Sequence, residues 1–414
     1  MTSTVADKVH APLPFEASND GALLINGISA ASIAARHDTP VFAYDKSVIS
    51  GTIASLRAAL PKEIHLHYAV KANPFGPVVS LLANLVDGLD VASQGELELV
   101  RSLVGLEMPV SFAGPGKRSA ELAAAIDLKC CVNLESIGEM HRFADIARQK
   151  GVRGLAAVRV NPPFDLRGSG MRMGGGAKPF GIDDTEVPAL FAQWPSDCLD
   201  FQGFHIFTGS QSLSAQALGE AHANALQLAL DLSEFAPNPP HTINMGGGLG
   251  VPYFPGDTPV DLSHVGQSLR DTIAARQSNI GQAKLILELG RYMVAEAGVY
   301  LTRVIDKKTS RGSTFLITDG GLHHQLAVSG NFGQVFRKNY PVAVARDYVA
   351  KGPSFERVTV VGCLCTPLDR LGDDMELPLA DVGDVIAVMR CGAYGPTASP
   401  SAFLSHPACA EELV

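Results

Sequence analysis

Short apolar segments of strand character alternate with segments of helical period through the middle of the chain. The candidate strands are residues 64–71, 89–93, 110–113, 130–134, 154–160, 201–207, 241–245 and 284–288, each followed by a turn signal such as Gly, Pro or Ser. Between them, apolar residues recur every three or four positions over residues 77–86, 95–104, 119–126, 136–149, 186–194, 215–235 and 262–276. A strand-then-helix unit repeated eight times is typical of a closed (β/α)8 barrel rather than an open doubly wound sheet. We therefore predict an α/β fold built on a TIM barrel.

After Gly298, the alternation of strand-like and helical segments stops. Longer β-branched runs follow one another without intervening helices, at residues 300–306, 313–318, 357–365 and 384–391. This pattern predicts a second, antiparallel β-barrel or sandwich domain, with early strands near residues 22–25 and 41–44 completing it. The predicted boundaries are 41–298 for the barrel, and 1–40 with 299–414 for the β domain. Residues 1–20 are expected to form a loose tail.

Composition limits what such a chain can bind. It has 414 residues, of which 46% are hydrophobic and 18% charged, as in an enzyme-sized folded protein with more than one core. A net charge of -9 and a pI of about 5.7 argue against nucleic-acid or anionic-membrane binding. The seven cysteines form no small-domain disulfide pattern, residues 1–14 hold no apolar leader, and no run is long enough to span a membrane. These features predict a cytoplasmic protein.

A lysine stands at the far end of the first candidate barrel strand. Apolar residues alternate with polar or small ones along residues 64–71, so one strand face should be apolar and the other should carry Lys71. Burying an ammonium is costly unless it is paired or deprotonated, and a neutral lysine amine is the nucleophile that forms Schiff bases. On this stretch alone, a Schiff-base lysine and a lysine that reaches solvent past Pro74 are equally good interpretations.

The other candidate site residues also lie where strands end, because a barrel of this kind carries its active site there. The glycine-rich turn Gly246–Gly248 could cradle a phosphate, although such turns more often only reverse the chain. Ser210 and Arg291 add phosphate donors. Glu288 would point inward, either to a pyridine nitrogen or into a salt bridge with a basic neighbour. A Schiff-base lysine, a carboxylate for a pyridinium and a phosphate cup together indicate pyridoxal 5'-phosphate (PLP).

Six motifs occur in the order found in one enzyme family: His67 to Pro74, Asp90-Val-Ala-Ser-x-Gly-Glu96, Phe112-Ala-Gly-Pro-Gly-Lys117, Gly246-Gly-Gly248, Glu288-x-Gly-Arg291 and Gly392-Ala-Tyr394. From about Gly21 to the C-terminus, the chain resembles the alanine-racemase-fold PLP-dependent decarboxylases, which include the diaminopimelate and ornithine decarboxylases. The resemblance implies that Lys71 carries the aldimine and that Glu288 faces the pyridine nitrogen. It implies further cofactor contacts from Asp90, Arg159, His205, Phe207, Ser210, Gly246, Gly247, Gly248, Gly290, Arg291 and Tyr394. Glu96 matches a position that steadies the lysine, but Ser93-x-x-Glu96 is also a capping box.

Residues 361–369 resemble the family's Gly-Pro-x-Cys segment, which enters the active site of the partner subunit. Cys365 then matches the proton-donating cysteine, and the resemblance implies a homodimer with shared active sites. A thiol has a pKa close enough to neutrality to give and regain a proton. Cys363 is better explained by strand packing. The predicted substrate contacts are Thr366, Asp369, His323, His324 and Tyr394.

Three positions depart from the family pattern. Phe207 stands where relatives carry the histidine that stacks on the pyridine ring, and His205 lies two residues earlier. Thr366 replaces the acidic residue that receives a distal amine. Ala327 replaces the arginine by which diaminopimelate enzymes bind a distal carboxylate. Neither a distal ammonium nor a distal carboxylate therefore has its expected partner.

Residues 331–341, 365–369 and 392–407 resemble a narrower subgroup. It includes the butirosin-type enzyme that decarboxylates a glutamyl group tethered to an acyl carrier protein, and relatives associated with exosortase loci. A thioester-linked side chain has no free distal carboxylate, which would explain the missing charge partners. The basic residues that could meet an acidic carrier are Arg337, Lys338 and Arg346.

We therefore predict a PLP-dependent carboxy-lyase that removes the α-carboxylate of an amino acid or of a carrier-tethered aminoacyl group, through an external aldimine and a quinonoid. Diaminopimelate decarboxylase of lysine biosynthesis is the first alternative. An amino-acid racemase, which needs two opposed bases, and a non-catalytic PLP-binding protein are the others. The predicted partners are a second copy of the chain and the amino acid or aminoacyl carrier protein, without nucleic acid, membrane or metal.

Overall fold

The computed structural model describes residues 9–166, 168, 170–331, 337–349 and 354–414. Of the segment 331–341 that indicated the narrower subgroup, residues 332–336 lie outside the described residues. The chain forms two compact units. The β unit comprises Met1–Gly51, Pro252–Pro259 and Arg291–Val414, and the barrel unit comprises Thr52–Val251 and Val260–Gly290.

The N-terminal part of the β unit is more ordered than the sequence indicated. Its elements are β1 (Glu16–Ala17), β2 (Leu23–Ile25), β3 (Ile28–Ser29), α1 (Ala30–His37), β4 (Val41–Tyr44) and the start of α2 (Lys46–Ala59), whose residues from Thr52 onward belong to the barrel unit. Strands β1, β2 and β3 form a three-stranded antiparallel sheet, so part of the expected loose tail is paired. The Ser29 hydroxyl accepts the Ser32 N–H and caps α1, which buries Ile33 and Ala34.

The barrel unit contains all eight predicted strands. Its strands are β5 (Ile64–Ala69), β6 (Gly88–Val91), β7 (Val110–Phe112), β8 (Cys131–Leu134), β9 (Gly154–Asn161), β10 (Met171–Arg172), β11 (Ile182–Asp183), β12 (Leu199–His205), β13 (Gly209–Ser210), β14 (Thr242–Asn244) and β15 (Lys284–Leu289). Parallel pairing runs β9-β12-β14-β15-β5-β6-β7-β8, and β8 pairs again with β9, which closes the sheet. Its helices are α3 (Gly76–Ala83), α4 (Gln94–Val104), α5 (Ser119–Asp127), α6 (Ile137–Lys150), α7 (Val187–Phe191), α8 (Ala215–Ser233) and α9 (Leu262–Ile280). The predicted barrel is confirmed.

The strand that leads to Lys71 differs from its prediction in two ways. It ends at Ala69, and Lys71 lies in the 3₁₀ turn Val70–Ala72 that follows. Five of its six residues are buried, His67 included, and His65 is half-buried, so burial does not alternate along the strand. A parallel barrel strand has helices on one side and the filled interior on the other, so neither face meets solvent.

The C-terminal part of the β unit holds α10 (Arg291–Val294), β16 (Gly298–Ser310), β17 (Ser313–Thr318), β18 (Val342–Val344), β19 (Phe355–Val361), β20 (Arg370–Pro378), β21 (Val385–Met389) and β22 (Ala410–Leu413). The sheet order is β18-β21-β16-β17-β19-β20, with β4 between β16 and β22. Two pairs, β17 with β19 and β22 with β4, are parallel. The predicted β domain is confirmed, and its sheet is mixed, because these two parallel pairs accompany the antiparallel pairs. The long connection between β17 and β19 allows the chain to return in the same direction.

The unit boundaries fall inside the predicted barrel range. Strand β4 pairs with β16 and β22, so residues 41–51 belong to the β unit, and Arg291 to Gly298 belong there as well. The β unit packs its own core, whose members include Leu23, Ile33, Leu301 and Met389. Among the helices within the described ranges, none combines the length and apolar character needed to cross a bilayer.

Candidate active site

Lys71 and Glu288 meet at the carboxyl ends of neighbouring barrel strands. Strand β15 pairs with β5 so that Glu288 lies opposite His67, and Lys71 follows β5 by two residues. The Lys71 Nζ lies 3.7 Å from Glu288 Oε1, with the lysine side chain 42% exposed and the glutamate only 4%. The amine is therefore accessible at the rim, while the carboxylate sits deeper. This ion pair is also what the salt-bridge interpretation of Glu288 expected.

A histidine holds the other oxygen of Glu288. His205 Nε2 lies 2.7 Å from Glu288 Oε2, and the amide of Asn244 donates to the same oxygen at 3.4 Å. Burial acts to raise the pKa of Glu288, but the His205 hydrogen bond and the Lys71 charge outweigh it and hold the pKa well below its usual value. Glu288 is therefore a carboxylate at neutral pH, shared between an amine above it and an imidazole beside it.

His205 and Phe207 occupy different depths. Their rings are nearly parallel, at 8°, with centroids 6.4 Å apart. His205 is buried and bonds to Glu288, whereas the Lys71 Nζ lies 5.8 Å from the centroid of the Phe207 ring. Phe207 is thus the ring next to the amine, and His205 is a partner of the carboxylate. Sequence reasoning named both residues but did not find the bond between His205 and Glu288.

Asp90 is the centre of a buried polar network. Its Oδ1 accepts from the Ser111 hydroxyl and lies 3.4 Å from His67 Nδ1, and Asn133 Nδ2 donates to Ser111 Oγ at 3.2 Å. Burial acts to lower the pKa of His67, but the charge and hydrogen bond of Asp90 outweigh it and raise that pKa. Ser111 and Asn133 were missed in the sequence. The signal was their strand register, since Asp90 lies directly opposite Ser111.

Arg159, a predicted cofactor contact, is tied to a glutamate. Its Nη1 donates to Glu135 Oε1 at 2.7 Å, and both side chains are buried. Burial acts to raise the pKa of Glu135, but the charges of Arg159 and Lys117 hold it below its usual value. Lys117 in turn pairs with Glu139 at 3.1 Å. Glu135 follows β8 directly, so the strand-end rule that found the other residues could have found it too.

The glycine turn after β14 contains two residues with positive φ and one whose backbone packs closely against the strand end at Glu288. Gly246 and Gly248 have φ of +73° and +92°, values that favour glycine. A Cβ on Gly247 would lie 2.0 Å from the carbonyl oxygen of Glu288. The Gly246 N–H donates to Asn244 Oδ1, whereas the N–H groups of Gly247 and Gly248 donate to no acceptor in the described ranges. Two adjacent donors thus remain available at this barrel end.

Gly290 and Ser210 occupy other parts of the same barrel end. A Cβ on Gly290 would lie 3.0 Å from the Cβ of Ala72 and 3.2 Å from that of Ala69, so this glycine lets β15 end against the turn that carries Lys71. Ser210 lies in β13, which pairs with β10. Ser93 caps α4, because its Oγ accepts the Glu96 N–H, but Glu96 Oε2 accepts the N–H of Ala92 and not that of Ser93, so only half of the predicted capping box forms.

In the β unit, aromatic rings surround Arg291. The guanidinium carbon lies 4.6 Å from the centroid of the Tyr394 ring and 5.6 Å from that of Tyr253, whose hydroxyl accepts a hydrogen bond from Nη1. Arg291 Nε is buried, and no acceptor for it occurs among the described residues. Tyr394 has a positive φ of 54°, an uncommon conformation outside glycine. A cation with an unused buried donor is suited to an anion such as phosphate.

Cys365 lies exposed on the loop between β19 and β20. Asp369 organises this loop from its base, because its two carboxylate oxygens accept the backbone N–H groups of Leu322 and Leu364 at 2.6 and 2.9 Å. The Thr366 hydroxyl bonds within the same loop, where it accepts the Leu368 N–H at 3.3 Å. Of the predicted substrate contacts on this loop, Asp369 is thus already engaged by its own chain.

His323 and His324 are both buried but differ in their bonding. His324 Nε2 donates to the Pro407 carbonyl, and its Nδ1 accepts from the Tyr300 hydroxyl, each at 3.0 Å. Neither nitrogen of His323 has a partner within the described part of the chain. His324 is therefore held by the β unit, while both ring nitrogens of His323 remain available.

Comparison with known proteins identifies the family. A family model described as pyridoxal-dependent decarboxylase, pyridoxal binding domain, matches residues 47–295. The chain belongs to these decarboxylases. The L-glutamyl-[BtrI acyl-carrier protein] decarboxylase of Niallia circulans is 34% identical over 384 residues, covering 91% of this chain and 89% of the relative. The diaminopimelate decarboxylase of Aquifex aeolicus is 30% identical over 413 residues, covering 97% and 92%. The fold matches the M. jannaschii diaminopimelate decarboxylase in complex with L-lysine, with a TM-score of 0.87 at 24% identity over 97% and 92% of the chains.

The residues of this decarboxylase fit PLP, the cofactor of its family. In the barrel unit, the Lys71 amine suits the aldehyde, and the buried Glu288 carboxylate suits a protonated ring nitrogen. The two unused N–H groups of the glycine turn suit phosphate oxygens. In the β unit, the buried Nε of Arg291 is a donor that suits an anion.

Proposed function

We propose that this PLP-dependent decarboxylase acts on an aminoacyl group tethered to a carrier protein, of the glutamyl class. The observation that carries the proposal is the lack of charge at the two positions expected to bind a free distal group. Thr366 directs its hydroxyl into its own loop, and Ala327 lies buried in the 3₁₀ turn Leu326–Ser329. A charged distal group brought against these residues would lose hydration without a countercharge. The Niallia circulans relative, which acts on a carrier-linked L-glutamyl group, supports the same substrate class.

We assign the reaction to a small set of barrel residues. Lys71 is the amine that would hold the cofactor through its aldehyde. Glu288 is the carboxylate that would accept a hydrogen bond from the ring nitrogen and favour its protonated form. When bound, the pyridoxal group supplies an electron sink for the pair left on Cα as carbon dioxide departs. His205 keeps Glu288 ionised and oriented, and Phe207 covers the amine with an apolar face.

We further assign the remaining polar residues to holding the cofactor. The proposed phosphate contacts are Gly246, Gly247, Gly248, Gly290, Ser210, Arg291 and Tyr394. Asp90 and Arg159 lie deeper, in networks with His67 and Glu135, and we propose that they shape the floor of the barrel end. Asp369 and His324 position the loops of the β unit, because the hydrogen bonds found for them run within the chain. Thr366 and Tyr394 are the proposed substrate contacts.

Cys365 is the proposed donor of the proton that returns to Cα. Its exposure on a loop of the β unit supports delivery to a second copy of the chain, and we propose a homodimer with shared sites. Mixing Lys71→Ala with Cys365→Ala protein tests this, because the heterodimer would rebuild one intact site. About a quarter of wild-type specific activity is expected at equal mixing. Activity no higher than that of the two inactive parents would refute the shared site.

The basic residues proposed to bind an acidic carrier protein are less available than the sequence indicated. Arg346 forms ion pairs with Asp384 at 3.0 Å and Asp347 at 3.5 Å, and Arg337 donates to the Arg370 carbonyl at 2.9 Å. The charge of Arg346 is thus partly neutralised and the Arg337 side chain is engaged within the chain, so we expect the tethered acyl group to dominate recognition. All seven cysteines carry free thiols, which supports the proposed cytoplasmic location.

The test is a carbon dioxide release assay with purified holoenzyme and a panel of substrates. Glutamyl carrier protein should be turned over, with free diaminopimelate, lysine, ornithine and glutamate far slower. The Lys71→Ala variant should release none. Racemisation without carbon dioxide release would instead support the racemase alternative, and strong diaminopimelate turnover would overturn the substrate assignment.

A further inference from the structure

Three side chains of the β unit converge from separate loops. His323 follows β17, Cys363 follows β19 and His406 precedes β22. One ligand atom of each lies within 4.8 Å of those of the other two. The Cys363 Sγ is 3.9 Å from His406 Nδ1 and 4.0 Å from Nε2, and the His323 and His406 ring centroids are 5.1 Å apart. The cluster therefore joins three connections that are distant in sequence.

His323 is the member that packing does not explain. Its side chain is fully buried, and both ring nitrogens lack a hydrogen-bond partner within the described ranges. Its neighbour His324 is equally buried, yet both of its nitrogens are bonded. A buried imidazole without partners is unfavourable and calls for a ligand. A weak thiol to imidazole contact between Cys363 and His406 would leave His323 unexplained.

We propose that His323, Cys363 and His406 form a transition-metal site of the zinc class, with the fourth position open to water. Nitrogen and thiolate ligands in a tetrahedron are what zinc prefers. Bond lengths of about 2.0–2.1 Å to nitrogen and about 2.3 Å to sulfur place tetrahedral ligand atoms about 3.3–3.6 Å apart. From separations of up to 4.8 Å, the longest pair must contract by up to about 1.5 Å, which rotation of the partly exposed His406 and Cys363 side chains can supply.

Metal binding would also order the loop that carries Cys365. Cys363 lies two residues before Cys365, and Asp369 fixes the other end of the same loop through the Leu364 N–H. A metal bond at Cys363 would therefore restrain the backbone before Cys365, while the bonded Asp369 restrains it after Cys365. This consequence rests on the proposed role of Cys365, whereas the metal site does not.

Metal content and cobalt spectra test the site directly. Holoenzyme stripped with chelator and reloaded should bind about one zinc or cobalt ion per chain, with cobalt giving ligand-field absorption at longer wavelength than the cofactor. Cys363→Ser and His406→Asn should each weaken binding at least about tenfold. Cys365→Ser is the matched control, because it changes a thiol of the same loop. It should keep the metal while losing decarboxylation, so the two proposals can fail separately. Equal metal content in wild type and Cys363→Ser would overturn the site.

Thiol alkylation gives a test that needs no variant. Zinc should protect Cys363 of the wild-type holoenzyme from iodoacetamide, while Cys365 remains reactive and serves as the internal reference. Peptide mass spectrometry separates the two modified positions by fragment ions. Equal alkylation of Cys363 with and without zinc would refute coordination.

Discussion

The bond between His205 and Glu288 predicts a measurable loss when the imidazole is removed. In His205→Leu, the buried carboxylate keeps only the long contact from Asn244 at 3.4 Å on that oxygen, in place of the His205 bond at 2.7 Å. A hydrogen bond to a buried charged group is worth about 1.5–3 kcal/mol. We therefore expect the free energy of unfolding at pH 7 to fall by about that amount. At about 1.4 kcal/mol per unit, the pKa of Glu288 should rise by one to two units.

The pH dependence follows from the sign of the shift. The folded-state pKa of Glu288 is lowered, so its contribution to stability is present above the unfolded value of about 4.3 and is lost as pH falls through the folded value. The depression is smaller in His205→Leu. The difference in stability between wild type and variant should therefore be full at pH 7 and should shrink below about pH 4.

Urea unfolding of the two proteins between pH 7 and pH 3 measures this difference. His205→Gln is the first control, because its amide can still donate to the carboxylate and should recover most of the loss. Phe207→Leu is the second, since Phe207 lies only two residues beyond His205 but its apolar ring cannot bond to Glu288. Unfolding free energies for His205→Leu that equal wild type throughout this pH range would refute the assigned bond.

Three further predictions concern other parts of the molecule. Gly247→Ala places a Cβ 2.0 Å from the Glu288 carbonyl oxygen, so the turn must move; we expect a loss of about 1–3 kcal/mol in urea unfolding and weaker cofactor absorbance. Stability equal to wild type would contradict this close approach. Arg159→Met removes the cation that is bonded to the buried Glu135 and should cost about 3–5 kcal/mol, with removal of both charges restoring part of the loss. A double variant no better than the single would argue against the pair. Asp369→Asn replaces one of two backbone acceptors by a donor and should cost about 1–3 kcal/mol and speed proteolysis of the cysteine loop; unchanged cleavage would contradict its role.

The barrel could be predicted because its information is local. Each strand is a short apolar run that ends at a turn, and each helix shows its own period, so no knowledge of pairing was needed. The β unit depends instead on which strands meet. The parallel pairing of β17 with β19 is set by the course of a long connection, and β18 and β20 lack a distinctive local pattern. The sequence therefore predicted a β domain but not its mixed sheet.

In the candidate site, too, the residues that local sequence marks were predicted, whereas the contacts between distant residues were not. Lys71, Glu288 and the glycine turn were found because strand ends of a barrel share one rim. The His205 to Glu288 bond spans neighbouring strands, and its existence depends on side-chain reach that sequence spacing does not encode. Cys363 was interpreted as packing because its neighbours in space, His323 and His406, come from loops far away in the chain.

The most direct test of the central claim is the ratio of kcat/KM for glutamyl carrier protein to that for free diaminopimelate, measured by carbon dioxide release from the same holoenzyme. The uncharged Thr366 and Ala327 positions predict a preference of about a hundredfold or more for the carrier-linked substrate. A ratio near one, or a preference for diaminopimelate, would contradict the account.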